Sequence, residues 1–519
     1  MSVLSTSVHH GAPHHQTIQV RPDDLAMAAD TLQQQSGVVF AQLFGIDERA
    51  IDNHYQVHVL WALDRDGTWL DLVTELDPGA PQYPSLTPIL PAAGWYERAL
   101  WEDLGIEPVG HPSLQRLHRP ADWPSDVFLF QSDRDWQSPV ERVAVDPEVE
   151  LPPLAAAPDG VVDYPLGPVR SGVVESGHYT LRTVGEELVD LRLQIFYKHR
   201  GVEKRAEGLG FLHAPLVAER ISGTSAFAHS LALCQAIEAA CEASIPERAR
   251  FLRTLFAELE RIYNHLGYHA DLCQATGLVV GQAQFEILKE RLLRLNATLT
   301  GHRYLFGLNV PGGLARDLTP PRLGQVRQAI HLLRTEIDAL EPLLLGSASH
   351  LDRLEGTGIL RPDDGRAFGA VGPIGRASGV DRDLRRDHPY AAYDAVDFAV
   401  PTRVTGDALA RFGVRLAELR ESIRIVEQIV DQMPGGATRR ELTPPPAGAI
   451  GLGWAESPRG ESLHWVCLGD AGTIRHYRAR PASFANWQAF PLAVPGHNIL
   501  TDFPVIEQSF GLSFAGADR

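Results

Sequence analysis

Apolar residues recur at helical spacing through the middle of the chain and predict long amphipathic helices. They fall alternately three and four positions apart from Leu323 to Leu340, and again from Leu409 to Met433. Such a seam faces neighbouring helices in the core of a bundle. A third apolar face follows Pro246, which stands near a helix start, and continues to Leu266. The pattern therefore predicts a mainly helical region from about residue 211 to 435.

The hydrophobic pattern before this region predicts a different, smaller unit. Segments 55–63 and 68–76 are typical of strands, and the turn sequence DRDG at 64–67 joins them as a hairpin. Segment 94–104 is predicted to be a helix. These elements indicate a small α+β domain.

The last part of the chain returns to short apolar runs. A β region is predicted at 179–196, interrupted at Gly185, and further short strands and turns are predicted over 445–519. We therefore expect an α+β protein, in which a small N-terminal α+β domain precedes a mainly helical-bundle domain with flanking β elements.

The domain boundaries follow from changes in composition. Residues 1–35 are polar and histidine-rich, and we expect a flexible N-terminus. The α+β domain is predicted to span 36–136. A segment rich in proline and alanine, 137–166, is typical of a stiff, extended linker. The large domain is then predicted to span 167–519.

Charge and cysteine content exclude several classes of protein. Lys and Arg number 47 against 65 Asp and Glu, so the net charge is −18, which argues against non-specific nucleic-acid binding. The four cysteines include no CxxC pair, which disfavours a disulfide scaffold and a self-contained zinc or iron–sulfur site. A reducing, cytoplasmic compartment fits this pattern. We expect neither a signal peptide nor a direct membrane span.

Several catalytic motifs are missing from the sequence. It contains no GxGxxG, no GxxxxGK[ST], no HExxH and no GxSxG. A self-contained nucleotide-dependent enzyme or hydrolase is therefore disfavoured.

Charged residues nevertheless occur inside apolar stretches. Glu258, Arg261 and His265 share one face of the helix after Pro246. Buried charges cost free energy unless they pair. They predict either structural ion pairs that join helices or a buried polar cavity that handles protons.

The same clusters form an ordered series of short motifs. The series includes Trp95–Arg98, Gly110–Leu114, His199–Lys204, Glu258–Ile262, Arg376–Gly379, Asp387–Tyr390, Ser457–Gly460 and Asp502–Pro504. This series resembles the fused large subunit of energy-converting, membrane-bound nickel–iron hydrogenases of the formate-hydrogenlyase and hydrogenase-4 type, equivalent to the C and D polypeptides of complex I joined in one chain. The resemblance runs from about residue 40 to the end.

The chain departs from these hydrogenases at the metal ligands. The family holds nickel and iron with two CxxC motifs, because these metals prefer soft thiolates. The corresponding positions here are Ser222, Ser225, Ser513 and Gly516. We therefore expect no metal and no hydrogenase activity. The chain also ends at Arg519 without the extension that hydrogenase maturation removes, which supports the same expectation.

The chain departs from complex I as well. The resemblance implies a quinone-binding His in the hairpin after Gly167–Pro168 and a Tyr near the first CxxC equivalent. By an ungapped count these positions fall near Val174 and Gly223, so neither residue is retained.

Three polar residues persist where the hydrogenases keep functional groups. The resemblance implies a proton-relaying carboxylate at Glu175, an imidazole at His229 and an arginine over the open metal position at Arg459. These are the candidate catalytic residues. Together they could bind an anion or a small polar molecule, or relay protons, or remain as structural pairs.

The resemblance implies a metal-free large subunit of a complex-I-like respiratory oxidoreductase. Such a subunit would couple electron transfer, to a quinone or an unknown small substrate, to ion translocation. The alternative is a non-catalytic scaffold or conformational coupling subunit. No cofactor is expected in this chain itself. Its implied partners are an iron–sulfur small subunit with a 4Fe-4S cluster and antiporter-like membrane subunits, which would hold it at the inner face of the cell membrane.

Overall fold

The structure is a computed structural model that describes residues 8–10, 14–145, 158–170 and 175–519. Its strands are β1 Val8–His10, β2 His15–Gln19, β3 Val38–Asp47, β4 Tyr55–Leu63, β5 Thr68–Leu76, β6 Gln82–Pro84, β7 Glu107–Val109, β8 Val161–Leu166, β9 His178–Val184, β10 Glu187–Gln194, β11 Asn309–Val310, β12 Gly313–Leu314, β13 Ile450–Ser457, β14 Gly460–Leu468 and β15 Ile474–Arg480. Its α-helices are α1 Leu25–Gln33, α2 Gly94–Leu104, α3 Val202–Ala206, α4 Ala214–Ala218, α5 Ala226–Ala240, α6 Glu247–Thr276, α7 Val279–Thr300, α8 Pro320–Gly346, α9 Ala348–Leu354, α10 Pro362–Ala367, α11 Gly372–Ala377, α12 Leu384–Asp387, α13 Ala408–Gln432, α14 Ala482–Ala489, α15 Phe503–Phe510 and α16 Phe514–Asp518.

The N-terminal domain is a five-stranded sheet with helices packed on it. The strand order is β1-β2-β5-β4-β3, in which β2 runs parallel to β5 and the other neighbours are antiparallel. The hairpin β4–β5 and helix α2 have the predicted bounds, which confirms the α+β prediction. The prediction of a flexible segment over 1–35 is wrong for its second half. Residues 15–19 add a strand beside β5, and α1 buries Leu25 and Ala29.

A second sheet opens the large domain. Strands β8, β9 and β10 form an antiparallel sheet in the order β10-β9-β8, and the turn at Gly185 has a positive φ of 61°. The prediction of a linker at 137–166 is therefore wrong for its last residues, because Val161–Leu166 forms strand β8 and pairs with β9. The middle of that predicted linker, residues 146–157, lies outside the described residues.

Long helices form the core of the large domain, as the apolar seams predict. Helix α6 packs against α7 and α13, and α8 packs against the same two helices. The seam residues Ile330 and Ile423 are buried to 1% exposure or less. Helix α6 follows Pro246 and ends at Gly277, which adopts the left-handed conformation with φ 79°. Helix α13 begins after Asp407, whose side chain accepts a hydrogen bond from Ala410 N–H.

The C-terminal part forms a sheet that lies directly on α5. Strands β13, β14 and β15 are antiparallel neighbours in chain order. Three helices, α14 to α16, follow these strands along the chain, and the hydrophobic pattern did not predict them. Gly453 allows the close approach of β13, because a Cβ there would lie 2.0 Å from the Ala232 carbonyl oxygen on α5. Across the described residues, no helix is both long and apolar enough for a bilayer.

Candidate functional site

The four positions at which the resemblance implies metal ligands converge in the structure. Ser222 precedes the short turn that leads into α5, Ser225 is the last residue of this turn, and Ser513 precedes α16. A Cβ at Gly516 would lie 3.3 Å from the Ser513 Cβ and 3.7 Å from the Ser222 Cβ. Two segments that are almost 300 residues apart in sequence therefore meet at one place.

Arg459 reaches into this place from the turn between β13 and β14. Its Nη1 donates to Thr224 Oγ1 at 3.0 Å, to Ser225 Oγ at 3.2 Å and to Asn264 Oδ1 at 3.2 Å. Its Nε donates to the Gly511 carbonyl at 3.0 Å. The guanidinium thus ties α6 and the α15–α16 connection to the turn before α5.

Glycines fix the turn that carries Arg459. A Cβ at Gly372 would lie 2.3 Å from the Gly460 Cα, and Gly460 has a positive φ of 123°. Only glycine permits this approach of two backbones. The Ser457 side chain accepts from the Arg459 N–H at 3.3 Å and so closes the turn.

The charge of Arg459 has no direct counter-ion among the described residues. No described carboxylate lies within 4 Å of its guanidinium, and its Nη2 forms no hydrogen bond with the described residues. Burial lowers the pKa of Arg459, and the nearby Glu175 carboxylate partly opposes this. A guanidinium remains protonated at neutral pH, so the site is electropositive.

Glu175 lies beside Ser513 and is held by the start of α16. It accepts hydrogen bonds from Phe514 N–H at 2.6 Å and Ala515 N–H at 3.2 Å, and Ser513 Oγ donates to it at 3.2 Å. The Ser513 hydroxyl in turn accepts from Gly516 N–H at 2.9 Å. The carboxylate therefore stabilises the segment that would carry the second ligand pair.

His229 lies on α5 and faces the C-terminal sheet. Its Nδ1 is 3.1 Å from His464 Nε2, and His464 Nδ1 is 2.7 Å from the Tyr477 hydroxyl. Burial lowers the pKa of His229 to about 3, and the Arg459 guanidinium adds to the effect. Both imidazoles are therefore neutral at physiological pH and form a short hydrogen-bonded chain with Tyr477.

Two further residues of the site come from α6. Asn264 binds Arg459, and Glu260 accepts from the N–H groups of Phe227 and Ala228 at 2.8 and 2.9 Å, at the start of α5. Burial raises the pKa of Glu260 to about 8. Sequence reasoning did not single out Asn264. The sequence feature that could have identified Asn264 is its position one helical turn after Glu260, because this spacing places both side chains on one face of the helix.

The charged cluster behind the site consists of ion pairs. Glu258 lies 3.3 Å from Arg261 and 3.2 Å from Arg385. Glu418 bridges Arg376 at 2.7 Å and His265 at 2.9 Å. Burial opposes the ionisation of Glu258, but the two arginines hold its pKa below the usual range. For these residues the structure supports the ion-pair interpretation, in which charges join α6, α11, α12 and α13.

The resemblance to complex I implies two quinone-binding positions, and only one of them lies among the described residues. The position near Val174 lies outside the described residues. Gly223, the other position, belongs to the short turn Gly223–Ser225.

A nickel–iron centre does not fit this donor set. Three of the four ligand positions offer hydroxyls, which ionise far too weakly to replace thiolates, and Gly516 offers no side chain. The Arg459 guanidinium also hydrogen-bonds to Ser225, and a cation there would repel a metal ion. The described part of the chain contains no group of three or more His, Cys, Asp or Glu placed to hold a metal.

Two protein families and one solved structure resemble parts of the chain. Residues 283–450 match the family model of the respiratory-chain NADH dehydrogenase 49 Kd subunit, and residues 18–130 match that of the 30 Kd subunit. One solved chain, from the membrane-bound sulfane sulfur reductase, an archaeal respiratory membrane complex, aligns with a TM-score of 0.65 and 26% identity. The alignment covers 69% of this chain and 99% of that one.

Curated relatives match over most or nearly all of the chain. Formate hydrogenlyase subunit 5 of Escherichia coli is 34% identical across 97% of this chain and 89% of the relative. Hydrogenase-4 component G of the same organism is 32% identical across 98% and 88%. The fused C/D polypeptide of NADH-quinone oxidoreductase from Phocaeicola vulgatus is 30% identical across 70% and 72%. The chain therefore belongs to the large-subunit family that formate hydrogenlyase subunit 5 and hydrogenase-4 component G share with the fused C/D polypeptides of complex I.

Proposed function

We propose that this chain is a metal-free large subunit of a membrane-associated respiratory oxidoreductase, and that the site around Arg459 receives a small electron acceptor. A quinone is one candidate. Because one similar chain belongs to a sulfane sulfur reductase, sulfane sulfur compounds form a second class. In both cases the acceptor presents a lone pair or negative charge to Arg459.

The observation that carries this proposal is that the Arg459 guanidinium forms no ion pair with a described carboxylate. A partly buried guanidinium without a carboxylate partner loses solvation, and a bound acceptor atom would restore favourable interactions. Its Nη2 is the donor left for such an atom, since Nε and Nη1 already bind the chain. The reduction of a quinone or a sulfur chain places negative charge on that atom, which the guanidinium stabilises.

Glu175 and His229 are the proposed proton-handling groups of this site. Glu175 contacts Ser513 at the same cluster of ligand positions, so its carboxylate lies close to the proposed acceptor. His229 is neutral and hydrogen-bonded to His464, which in turn is hydrogen-bonded to Tyr477. A proton can therefore pass from His229 through His464 to Tyr477. Both roles belong to the proposal.

The relatives support the proposal that this chain works with partner subunits. Formate hydrogenlyase subunit 5, hydrogenase-4 component G and the C/D polypeptide of NADH-quinone oxidoreductase are named as parts of larger enzymes. We propose an iron–sulfur small subunit with a 4Fe-4S cluster that supplies the electrons, and antiporter-like membrane subunits that translocate an ion. These partners would hold the chain at the inner face of the cell membrane.

Turnover of the assembled complex tests the proposal. Arg459→Ala is expected to assemble and to lower electron transfer at least about tenfold, because it removes the donor to the acceptor, and Arg459→Lys is expected to retain part of the activity. Arg327→Ala, which removes an arginine with a 61% exposed side chain on α8, is the matched control. Normal turnover in both Arg459→Ala and Glu175→Gln would contradict the proposal.

A second candidate function is a scaffold or conformational coupling subunit. It is favoured by the hydrogen bonds of Glu175, which are already used by Ser513, Phe514 and Ala515. In this case substitutions at Arg459 and Glu175 leave electron transfer unchanged, and only substitutions in the helix seams disturb the complex.

A further inference from the structure

A wide groove lies between the N-terminal domain and the start of the large domain. Its volume is about 1060 Å³, and its walls come from residues 95–142 and 192–205. Among the described residues, eight arginine and lysine side chains line it, and no aspartate or glutamate does. The whole chain carries a net charge of −18. The groove therefore has the opposite sign of charge to the molecule as a whole.

Part of this positive charge has no ion-pair partner among the described residues. Lys204 pairs with Glu207 at 2.7 Å, and Arg142 pairs with Asp122 at 2.9 Å. Four other lining arginines form no ion pair with a described carboxylate: Arg98, Arg116, Arg200 and Arg205. In a chain rich in acidic residues, this clustering attracts an anionic partner.

The hydrogen bonds of Arg116 and Arg200 fit a ligand with several separate negative charges better than they fit a single phosphate group. Arg116 donates to the carbonyls of Pro120, Ala121 and Trp123, and Arg200 donates to those of Arg220, Ile221 and Ala515. Their N–H groups are thus largely occupied, and a bidentate clamp is not available there. Their charge still contributes to the potential across the whole groove.

Aromatic side chains complete the surface. Four of the nine tryptophans of the chain line the groove: Trp95, Trp101, Trp123 and Trp136. Trp136 is 46% exposed and Tyr197 is 45% exposed. The Arg205 guanidinium lies 4.8 Å from the Trp136 ring, so this aromatic face is already covered by a cation. Tryptophan, tyrosine and arginine are the residues that dominate protein–protein binding energy, and Asp and Glu are depleted at such interfaces.

We propose that this groove docks an acidic, partly apolar segment of a partner polypeptide. The carboxylates of that segment compensate the four arginines that pair with no described carboxylate, and its apolar side chains pack on the exposed edges of Trp136 and Tyr197. The inference needs the chain to be part of a complex, but it does not depend on an electron acceptor at Arg459.

Site-directed photo-crosslinking in the assembled complex tests the inference. The photoreactive amino acid p-benzoyl-phenylalanine replaces Trp136, and mass spectrometry identifies the cross-linked peptide. We expect a segment of another polypeptide of the complex with net negative charge. Cross-links only within this chain, to a second copy of it, to a net basic segment, or to no polypeptide at all would overturn the proposal.

Charge reversal supplies an independent measurement. The double variant Arg142→Glu/Arg205→Glu is expected to weaken association with the cross-linked partner at least about tenfold at low salt, and by much less at 0.5 M salt. Arg294→Glu/Arg327→Glu, on exposed faces of α7 and α8, is the control with the same change in charge. Equal association of the two double variants would overturn the proposal. The complexes that still form with the groove variant are expected to turn over normally, which separates this inference from the function proposed for Arg459.

Discussion

Arg459 Nη1 lies 3.2 Å from Ser225 Oγ, so a guanidinium contacts one of the positions where the hydrogenase relatives are expected to place a metal-binding thiolate. The serine hydroxyl accepts a hydrogen bond from a cation that the protein itself supplies. The same guanidinium also binds Asn264 on α6 and the Gly511 carbonyl. The site thus combines a convergent backbone with hydrogen-bonding groups in place of metal ligands.

This arrangement predicts that the chain does not take up nickel. The purified complex, supplied with nickel during expression, is expected to contain well below one nickel per chain when measured by plasma mass spectrometry, because hydroxyl groups do not provide the soft ligands that the metal requires. A nickel–iron hydrogenase prepared in parallel serves as the positive control. Stoichiometric nickel would contradict the hydrogen-bonded site described here.

Glu175 is expected to stabilise the C-terminal segment. Glu175→Ala removes the acceptor for Phe514 and Ala515 N–H, and we expect a loss of about 1–3 kcal/mol in the free energy of unfolding. Glu175→Gln keeps an acceptor oxygen and is expected to cost less. Thermal unfolding of the complex measures both. Glu186→Ala, at an exposed turn residue, is the control and is expected to stay within about 0.5 kcal/mol; a Glu175→Ala variant that behaves like it would contradict the capping role.

Buried histidines are expected to make the fold sensitive to acid. Burial lowers the pKa of His350 to about 4, so the folded state binds fewer protons than the unfolded state between about pH 6.5 and pH 4. Stability is therefore present above pH 6.5 and is lost as the pH falls through this range. His350→Asn removes the titrating group and is expected to reduce the loss by at most roughly 3 kcal/mol.

Denaturation curves recorded at pH 7 and pH 4.5 measure this effect. His331→Asn, at an exposed position on α8, provides the comparison. If the two variants lost the same amount of stability between these pH values, the burial of a neutral His350 would not be the cause.

A charged side chain is expected to destabilise α8 when it replaces a buried seam residue, but not when it replaces an exposed residue of the same helix. Ile330 is fully buried between helices, and Ile330→Asp places an unpaired carboxylate there, which we expect to cost about 4 kcal/mol or more. Leu332→Asp lies on the same helix at 53% exposure and is the matched control. Size-exclusion chromatography and circular dichroism follow folding and assembly. A folded, assembled Ile330→Asp complex would contradict the packing of α8 in the bundle.

Local patterns predicted much of the fold. The bounds of β4, β5 and α2 follow from alternation and turn residues that lie within a few positions of each other. Helix α13 ends, as its apolar seam predicts, close to Met433. Strand β2 at 15–19 could not be predicted from local patterns, because polar residues form it and its partner β5 lies some 50 positions later.

Motifs along the sequence indicated several residues of the candidate site, but none of the hydrogen bonds between them. The resemblance indicated Glu175, His229 and Arg459, and the four ligand positions, from motifs along the sequence. The contact between Arg459 and Asn264 joins residues 195 positions apart, and no local pattern predicts such a pair. The pairing of His229 with His464 is likewise a product of how β13 and β14 lie on α5.

The proposed binding of an electron acceptor at Arg459 is tested most directly by electron paramagnetic resonance on the purified complex with its partners. Its iron–sulfur clusters are first reduced, a quinone analogue or, in a separate sample, a polysulfide is added, and the loss of the reduced-cluster signal is followed with time. We expect reoxidation in the unaltered complex and in Arg327→Ala, and its loss in an assembled Arg459→Ala complex. Reoxidation at an unchanged rate in Arg459→Ala, or its absence with both acceptors in the unaltered complex, would contradict this role of Arg459.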